Sequence, residues 1–287
     1  ADWNESLPLG NGRLGAMVSG GVNEERFQLN EDTLWSGAPQ DYNRPGASDH
    51  LAAIRRLIAE RKFAEAEKFG NRTMLGIPKE QASYQPLGDL HLVFPDTGEA
   101  TDYRRELDMR DSTVRVAYRV GAARFTRETF ISYPDQVMVV RLHCDQPGGL
   151  TFDIKLSSPH PFTSTPRADG LLWMDGEVKS GHIPAGKHGT RFSAVVHASV
   201  DGGEITAGDG RLSVSRAKSA TLVYSAATSY RNHRDNDGDA RSLCRKHLEA
   251  AVGKPWPQLR DAHLSDVRVL FDRVSFDLTL EIGRAHV

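Results

Sequence analysis

The sequence is poor in cysteine and has no long apolar run. Its 287 residues include two cysteines, Cys144 and Cys244, which lie far apart and belong to no CxxC or Cys/His cluster. Neither a zinc site nor a disulfide framework is therefore indicated, and we expect two free thiols, with a single disulfide as the open alternative. No stretch approaches the ~20 apolar residues that span a bilayer, so no membrane partner is expected.

An excess of charge of either sign is also absent. The 36 basic residues nearly balance the 38 acidic ones. No basic tract is interleaved with aromatic residues, which argues against nucleic acid as a partner. Hydrophobic residues make up 39% of the chain, enough for a substantial core. The composition therefore predicts a globular protein built from one large domain or two ordinary ones.

The two ends of the chain depart from what a natural terminus looks like. The chain starts at Ala1 without Met and opens directly into Trp3, so we expect the natural start to lie upstream. Residues 281–287 match one translated frame of a common short-read sequencing adapter. We therefore expect residues 281–287 to be an artefact and the natural sequence to stop near Leu280.

Short β-like segments dominate the chain after one early helix. Residues 15–34 predict a hairpin broken at Gly20-Gly21. Ser48 and Asp49 are then expected to cap one helix whose apolar residues fall at helical spacing: Leu51, Ile54, Leu57, Ile58 and Phe63. Strands are then predicted over residues 89–94, 112–120, 123–132, 137–143, 150–156, 171–178, 192–200, 212–215 and 220–227. Helices do not alternate with these strands, which excludes a parallel α/β sheet.

Two further helices are predicted near the carboxy terminus, over 240–252 and 256–274, the second beginning after Pro255. The expected fold class is therefore mainly β: a large antiparallel β-sandwich with one inserted helix and a carboxy-terminal helical linker. We expect the sandwich domain to cover residues 1–234 and the linker residues 235–280.

Two motifs resemble ligand-binding motifs, but neither has the flanking residues that such a site requires. Gly10-Asn-Gly12-Arg-Leu-Gly15 fits GxGxxG, but no buried strand precedes it and no helix follows, so tight turns are expected instead of a dinucleotide site. Asp235-Asn-Asp237-Gly-Asp239 spaces its carboxylates like the first ligands of a calcium loop. Its glycine comes one position early and no Glu occupies the twelfth position, which favours a turn that caps a helix.

No catalytic group is evident in the sequence. Glu31 and Asp32 are adjacent on a strand or at its end, where side chains alternate in direction, so they are a poor acid and base pair for one sugar. The 11 histidines form no HExxH motif, and GxSxG is absent. Metalloprotease and serine hydrolase chemistry therefore have no support.

Several segments, in order along the chain, resemble the amino-terminal part of glycoside hydrolase family 95. They are WNESLPLGNGRLGAMV (3–18), QLNEDTLWSG (28–37), YQPLGDL (84–90), YRRELDM (103–109), TRETFISYPD (126–135), AATSY (226–230) and HLSDVRVLFDRV (263–274). Together they extend the resemblance over residues 2–280.

The resemblance implies an amino-terminal β-sandwich, a helical linker, an (α/α)6 barrel and a carboxy-terminal β domain, of which this chain offers the first two. It also implies an inverting, exo-acting α-L-fucosidase that needs no metal or organic cofactor and acts on fucosylated oligosaccharides or polysaccharides, or on related L-galactosides. The catalytic carboxylates of the family belong to the barrel, so no catalytic residue is assigned in this chain. The barrel would be its partner in the same protein, and export from a bacterium, secreted or periplasmic, is expected.

The segments most like the family supply five candidate substrate-binding residues: Asn11, Arg13, Trp35, Tyr84 and Gln85. Aromatic faces and fixed hydrogen-bonding groups are what sugar sites use, so these side chains are candidates for one wall of a pocket. The Trp35 and Tyr84-Gln85 segments each lie where a loop meets a strand, so we expect them to lie near one another on the side of the sandwich that faces the barrel. The competing interpretation is that the aromatic residues are core or interface residues and the polar ones stabilise turns. A stand-alone carbohydrate-binding or interaction module is the alternative function.

Overall fold

The computed structural model describes residues 3–95 and 98–275. The predicted artefact at residues 281–287 and the last part of the predicted linker, 276–280, lie outside the described residues.

Within the described residues, strands make two antiparallel sheets. The seven-stranded sheet contains β1 (Leu7–Gly10), β2 (Leu14–Val18), β3 (Glu24–Glu31), β4 (Gly88–Val93), β9 (Leu150–Ser157), β13 (Glu204–Gly208) and β14 (Arg211–Ala217), in the order β1-β2-β3-β4-β9-β14-β13. The eight-stranded sheet contains β5 (Ala100–Asp108), β6 (Thr113–Val120), β7 (Ala123–Ser132), β8 (Val137–Cys144), β10 (Phe162–Pro166), β11 (Leu171–Glu177), β12 (Arg191–Asp201) and β15 (Ser219–Thr228), in the order β10-β11-β12-β15-β8-β7-β6-β5. The predicted mainly β sandwich is confirmed.

A continuous apolar core lies between the two sheets. Its members alternate with polar residues along the strands, and the largest fully buried side chains in it include Phe27, Phe152, Phe192 and Tyr224. Burial of aromatic and aliphatic surface on this scale is the main source of stability for a sandwich of this size.

Two helices cover part of the outer face of the eight-stranded sheet. They are α3 (Ala240–Val252) and α4 (Trp256–Phe271), and α3 packs against β12 and β15. A second apolar cluster fills this contact, with Phe130, Trp173 and Val195 from the sheet and Leu248 and Leu259 from the helices. Because the sheet is covered on both faces at this place, all ten residues of β15 are buried.

The cysteines lie on opposite faces of the eight-stranded sheet. Cys144 belongs to the core between the sheets, and Cys244 belongs to the cluster beneath α3. Both are buried free thiols. The expectation of two unpaired thiols is confirmed, and the thickness of the sheet prevents a disulfide between them.

The early helical insertion differs from the single helix predicted. It consists of α1 (Leu51–Ala59) and α2 (Phe63–Thr73), separated where Arg61 adopts a positive φ of 58°. Ser48 and Asp49 lie in a 3-10 turn ahead of α1 and no side chain caps the helix. The apolar spacing continues across this break through Phe63, which opens the second helix, so the sequence pattern does not separate two short helices from one.

The acidic run before α3 is a turn that caps the helix, as predicted. The Asp239 carboxylate accepts from Ser242 N at 2.9 Å, and the Asp235 carboxylate accepts from Asp237 N at 2.8 Å. α4 begins after Pro255, as predicted, and ends at Phe271 rather than at Val274. These helices therefore start where their capping residues place them.

Leu248→Ala tests whether α3 folds together with the sandwich. Leu248 is buried between α3 and the sheet, whereas Leu243 on the same helix is 40% exposed. We expect Leu248→Ala to lower the free energy of unfolding by about 2–4 kcal/mol in urea titrations. The matched control, Leu243→Ala, is expected to change it by less than about 0.5 kcal/mol. Equal small effects would mean that α3 is a loosely attached linker.

Candidate functional site

Two neighbouring clefts open where β3 and β15 end. The Trp35 cleft has a volume of about 510 Å³ and is lined by Asp32, Thr33, Trp35, Ser36, Gly37, Ala38, Pro39, Gln40, Tyr42, Ala82, Thr190, Tyr230, His233 and Asn236. The Arg13 cleft has a volume of about 570 Å³ and is lined by Asn11, Gly12, Arg13, Glu31, Asp32, Thr33, Tyr133, Gln136, Thr228, Tyr230 and Leu243. Asp32, Thr33 and Tyr230 belong to both, so the clefts adjoin.

Trp35 and Tyr84 form an exposed aromatic pair at this end of the sandwich. They are joined by an isolated antiparallel bridge, and their ring centroids lie 5.5 Å apart at an interplanar angle of 69°. Trp35 is 45% exposed and Tyr84 43% exposed. The predicted proximity of the two segments is confirmed, and Trp35 is not a core residue.

Backbone hydrogen bonds and the rings' own polar atoms hold this pair in place. Ser36 N donates to Ser83 O at 2.9 Å, which closes the bridge between the two loops. The indole N–H of Trp35 donates to Asp32 O at 3.1 Å, and the Tyr84 hydroxyl donates to Glu31 O at 3.2 Å. With these polar groups satisfied by the backbone, what the pair offers to a ligand is apolar ring surface.

Gln85 serves its own loop. Its side-chain amide donates to Ser83 O at 3.1 Å and to Tyr84 O at 3.0 Å, and its backbone N–H donates to Leu34 O at 2.9 Å. It contributes to neither cleft lining. The structure therefore gives Gln85 a part in shaping the loop that carries Tyr84.

Asn11 and Arg13 are both engaged by the protein. The Asn11 side chain accepts from the backbone N–H groups of Arg13 and Leu14, at 3.0 and 2.8 Å, and donates to Ser132 O at 2.9 Å. These contacts fix the turn between β1 and β2 and tie it to the end of β7. Asn11 therefore has the bonding pattern of a turn-stabilising residue, although it also lines the Arg13 cleft.

The Arg13 guanidinium reaches across to the other sheet. It donates to the Gln136 side chain at 2.6 Å, to Gln136 O at 2.9 Å and to Ala226 O at 2.5 Å. Glu31 lies 3.5 Å away from it. With these contacts in place, the guanidinium is held rigidly at the floor of the Arg13 cleft.

Glu31 and Asp32 lie in different environments. Glu31 is 3% exposed, and its carboxylate accepts from the backbone N–H and hydroxyl of Thr33 at 2.8 and 2.6 Å. Burial raises the pKa of Glu31, against the hydrogen bonds from Thr33 and the charge of Arg13. Asp32 is exposed and lines both clefts. Both residues reach the Arg13 cleft, but only Asp32 is open to solvent, so the pair lacks two accessible carboxyl groups.

The Trp35 cleft contains two buried amide donors that have no partner. Within residues 3–95 and 98–275, Gln40 Nε2 and Asn236 Nδ2 are buried and make no hydrogen bond. Asn236 Oδ1 accepts from the Ser229 hydroxyl at 2.8 Å, which fixes the amide and leaves its N–H2 group free. Buried donors are rarely left unpaired in native proteins, so these two indicate a place for a polar ligand or water.

Sequence reasoning did not identify Gln40, Asn236 or Tyr230 as candidates. Tyr230 is 44% exposed and lies in the 226–230 segment that resembles the family, so that segment was an available signal. Gln40 and Asn236 come from loops that are distant in sequence. No local pattern marks Gln40, and the acidic run 235–239 draws attention to its carboxylates and not to Asn236.

The comparisons with known proteins agree with this architecture. The sequence profile described as "Glycosyl hydrolase family 65, N-terminal domain" matches residues 1–233. This chain belongs to that family. Among proteins whose functions have been curated, "Alpha-L-fucosidase 2" of Arabidopsis thaliana is 33% identical, over 97% of this chain and 36% of the plant protein. "Probable alpha-fucosidase A" of Aspergillus niger is 28% identical, over 96% of this chain and 36% of its own length.

These relatives confirm the resemblance to the amino-terminal domain of family 95 enzymes. The chain spans little more than a third of the length of the relatives it matches. They come from a plant and a fungus, so the expected bacterial origin has no support.

A solved structure described as "Putative kojibiose phosphorylase from human microbiome" has the same fold. Its TM-score is 0.52 at 10% identity, over 93% of this chain and 36% of that one. At this identity the match concerns the fold alone. In the part of the chain that the structure describes, no helix is long and apolar enough to cross a bilayer.

Glu31→Gln tests the buried carboxylate beneath the site. The pKa of Glu31 is raised in the folded protein, so the folded state holds this proton more tightly than the unfolded chain does. The stability that this provides is fully present at low pH and is lost as the pH rises through the folded-state pKa. Gln stays neutral, so we expect the stability of Glu31→Gln relative to the natural protein to increase between pH 4.5 and 7.5 in urea titrations. Glu67→Gln, an exposed position on α2, is the control and should show no such trend. A relative stability that falls with pH would contradict the assignment.

Proposed function

We propose that this chain is the amino-terminal domain of an inverting, exo-acting α-L-fucosidase that hydrolyses terminal α-L-fucosides in glycans. The observation that carries the proposal is the 33% identity to a plant protein named as an α-L-fucosidase, which extends over 97% of this chain. In this proposal the chain provides one wall of the substrate pocket, and the reacting groups belong to the rest of the parent protein.

The Trp35 cleft has the chemistry that a terminal sugar needs. The exposed ring surface of Trp35 can pack on the apolar face of a pyranose, and the free amide groups of Gln40 and Asn236 can donate to its hydroxyl groups. A volume of about 510 Å³ is in the range of small-ligand sites. Such a wall supplies binding and orientation.

The acid and base of an inverting mechanism have to stand on opposite faces of the sugar, with room for water between them. Among the described residues that line the Trp35 and Arg13 clefts, Asp32 has the one accessible carboxylate. Glu31 is buried and accepts hydrogen bonds from Thr33. One accessible carboxylate cannot supply both roles. The chain alone is therefore proposed to be inactive.

An apolar surface near the carboxy-terminal end of α4 is a candidate docking surface for the proposed barrel domain. Met109 is 72% exposed, Leu270 61% and Val274 78%. A concavity of about 780 Å³ lies among Met109, Tyr133, Leu270 and Phe271. Contiguous exposed apolar side chains are typical of a domain interface, and we propose that the barrel covers this one.

A stand-alone carbohydrate-binding module is the second candidate, because the orphan donors and the exposed indole belong to this chain alone. In either case we propose that the protein acts on glycans outside the cytoplasm, where such substrates occur.

The first test compares the purified chain with its full-length parent on an aryl α-L-fucoside. We expect turnover by the parent, with inversion at the anomeric carbon followed by NMR, and none by the chain. Turnover by the chain that a substitution within residues 3–275 abolishes would contradict the proposal. If the parent also fails on fucosides and the chain binds fucosylated glycans, the binding module is the better description.

Trp35→Ala in the parent tests the pocket wall. Loss of the indole surface should raise KM for the fucoside by about tenfold or more, the effect expected for a stacked aromatic group of ~1.5 kcal/mol. Trp3→Ala is the matched control. Trp3 is 58% exposed and precedes the start of β1, whereas Asn11 and the clefts lie at the other end of that strand. Equal kinetics for the two variants would remove Trp35 from the site.

A further inference from the structure

A separate cleft lies on the outer face of the eight-stranded sheet, beside the start of α4. It has a volume of about 600 Å³ and shares no lining residue with the Trp35 cleft. Ala117 and Thr126, which are directly opposite each other on β6 and β7, are the small residues of its lining. Around them stand the long side chains of Arg104, Arg115, Arg124, Arg141 and Trp256. Two carboxylates, Glu106 and Glu128, also line the cleft.

Two of these arginines are neutralised by carboxylates. Arg104 is paired with Glu106. Arg115 lies 3.4 Å from Asp108, 3.2 Å from Asp111 and 3.8 Å from Glu128. This part of the cleft is therefore balanced in charge.

Arg141 is held in place without a carboxylate contact among the described residues. Its guanidinium donates to the hydroxyls of Thr221 and Ser219, at 2.6 and 2.8 Å. Burial lowers the pKa of Arg141, and the nearby charge of Asp201 acts in the opposite direction. The guanidinium is therefore partly desolvated, fixed in direction and bonded to neutral groups, which leaves it attractive to an anion.

Arg124 carries the second unbalanced charge. In the part of the chain that the structure describes, its guanidinium has no hydrogen bond or ion pair, although its backbone N–H donates to Asp145 at 2.8 Å. In the β6–β7 register it stands directly opposite Arg119, which is paired with Asp102 at 3.4 Å. Like charges directly opposite each other destabilise a sheet unless a counter-charge lies nearby.

We propose that this arginine-rimmed cleft binds an anionic group, a carboxylate or a sulfate, carried by an acidic glycan. Arg124 and Arg141 each provide charge-assisted hydrogen bonds to an oxyanion of the glycan, and Trp256 provides an apolar wall for the adjoining sugar ring. The choice of a glycan rests on the proposed function, whereas the choice of an oxyanion rests on the cleft itself. In the parent such a contact would hold a charged polysaccharide on the enzyme.

The test measures the affinity of the 287-residue chain for four polymers by gel-shift and calorimetry. Polygalacturonate carries carboxylates, dextran sulfate carries sulfates, neutral dextran carries neither, and a single-stranded DNA oligonucleotide is an anionic polymer that is not a glycan. Arg124→Gln removes the exposed charge, and Arg141→Gln removes the fixed one, with near-UV circular dichroism to check its fold. Arg167→Gln is the matched control. Arg167 carries the same charge and is also exposed, but it lies outside this cleft, where it pairs with Asp169.

We expect binding to at least one acidic glycan and none to neutral dextran. Arg124→Gln should weaken that binding by about tenfold, the loss of one charge-assisted hydrogen bond, and Arg167→Gln by less than about twofold. Response to polygalacturonate alone identifies the carboxylate and response to dextran sulfate alone the sulfate, and either supports the proposal.

Absence of binding to both acidic glycans overturns the proposal, as does equal weakening by Arg124→Gln and Arg167→Gln. The proposal is also overturned if the chain binds DNA as tightly as it binds the acidic glycans and the same variants abolish that binding. The cleft would then be a general surface for polyanions. Because this cleft and the Trp35 cleft share no lining residue, Arg124→Gln is expected to leave hydrolysis of a neutral fucoside by the parent unchanged. A failed proposed function would therefore leave this binding intact, and a failed anion site would leave the hydrolysis intact.

Discussion

The Arg13 guanidinium holds the two sheets together at the end where both candidate clefts lie. It starts from the turn between β1 and β2 in one sheet and donates to Gln136 and Ala226 of the other. Because Glu31 lies 3.5 Å from it and ends β3, the same contact determines where the Trp35 loop leaves the sandwich. The Thr33 and Thr228 hydroxyls, 2.5 Å apart, add a second link between the sheets. The aromatic pair is hydrogen-bonded to the backbone of this edge, at Glu31 and Asp32.

A matching ion pair lies toward the opposite end of the sandwich. Arg127 and Glu25 are 2.8 Å apart and almost completely buried, and the guanidinium also lies over the rings of Phe94 and Tyr118. Burial raises the pKa of Glu25 despite the charge of Arg127. Buried pairs of this kind contribute little net stability but are costly to break, so their effect is to fix one alignment of the sheets. The alignment in turn sets the shape of the clefts.

The sequence allowed the central strands to be predicted but not the edges. The described strands that were missed, β1, β5, β10 and β13, are the outermost strands of the two sheets. Edge strands bury little surface, as the exposed residues of β5 and β13 show, so the alternation that marks an inner strand is weak in them. The break at Arg61 was hidden for a related reason, since apolar spacing continues across it. Strands that pack in the interior can therefore be recognised from the sequence, whereas edge strands and a local helix break such as that at Arg61 cannot.

The candidate site was predictable to a similar extent. Trp35 and Tyr84 could be brought together because each sits in a family-like segment at a loop boundary, but the bonding of Asn11 and Arg13 within the fold could not be foreseen from their types. Gln40 and Asn236 were invisible, because an orphan donor is a property of packing and not of a local motif. The same holds for Arg124 and Arg141, whose meaning depends on strand register and on which carboxylates are within reach.

The central claim is that this chain supplies the binding wall and the rest of the parent supplies the chemistry. A structure of the full-length parent with an uncleaved α-L-fucoside tests it most directly. The account predicts the terminal sugar within van der Waals contact of the Trp35 ring and hydrogen-bonded to Gln40 or Asn236, with both catalytic carboxyl groups contributed from outside residues 3–275. A sugar bound away from Trp35, or a catalytic carboxyl group from within those residues, would contradict it.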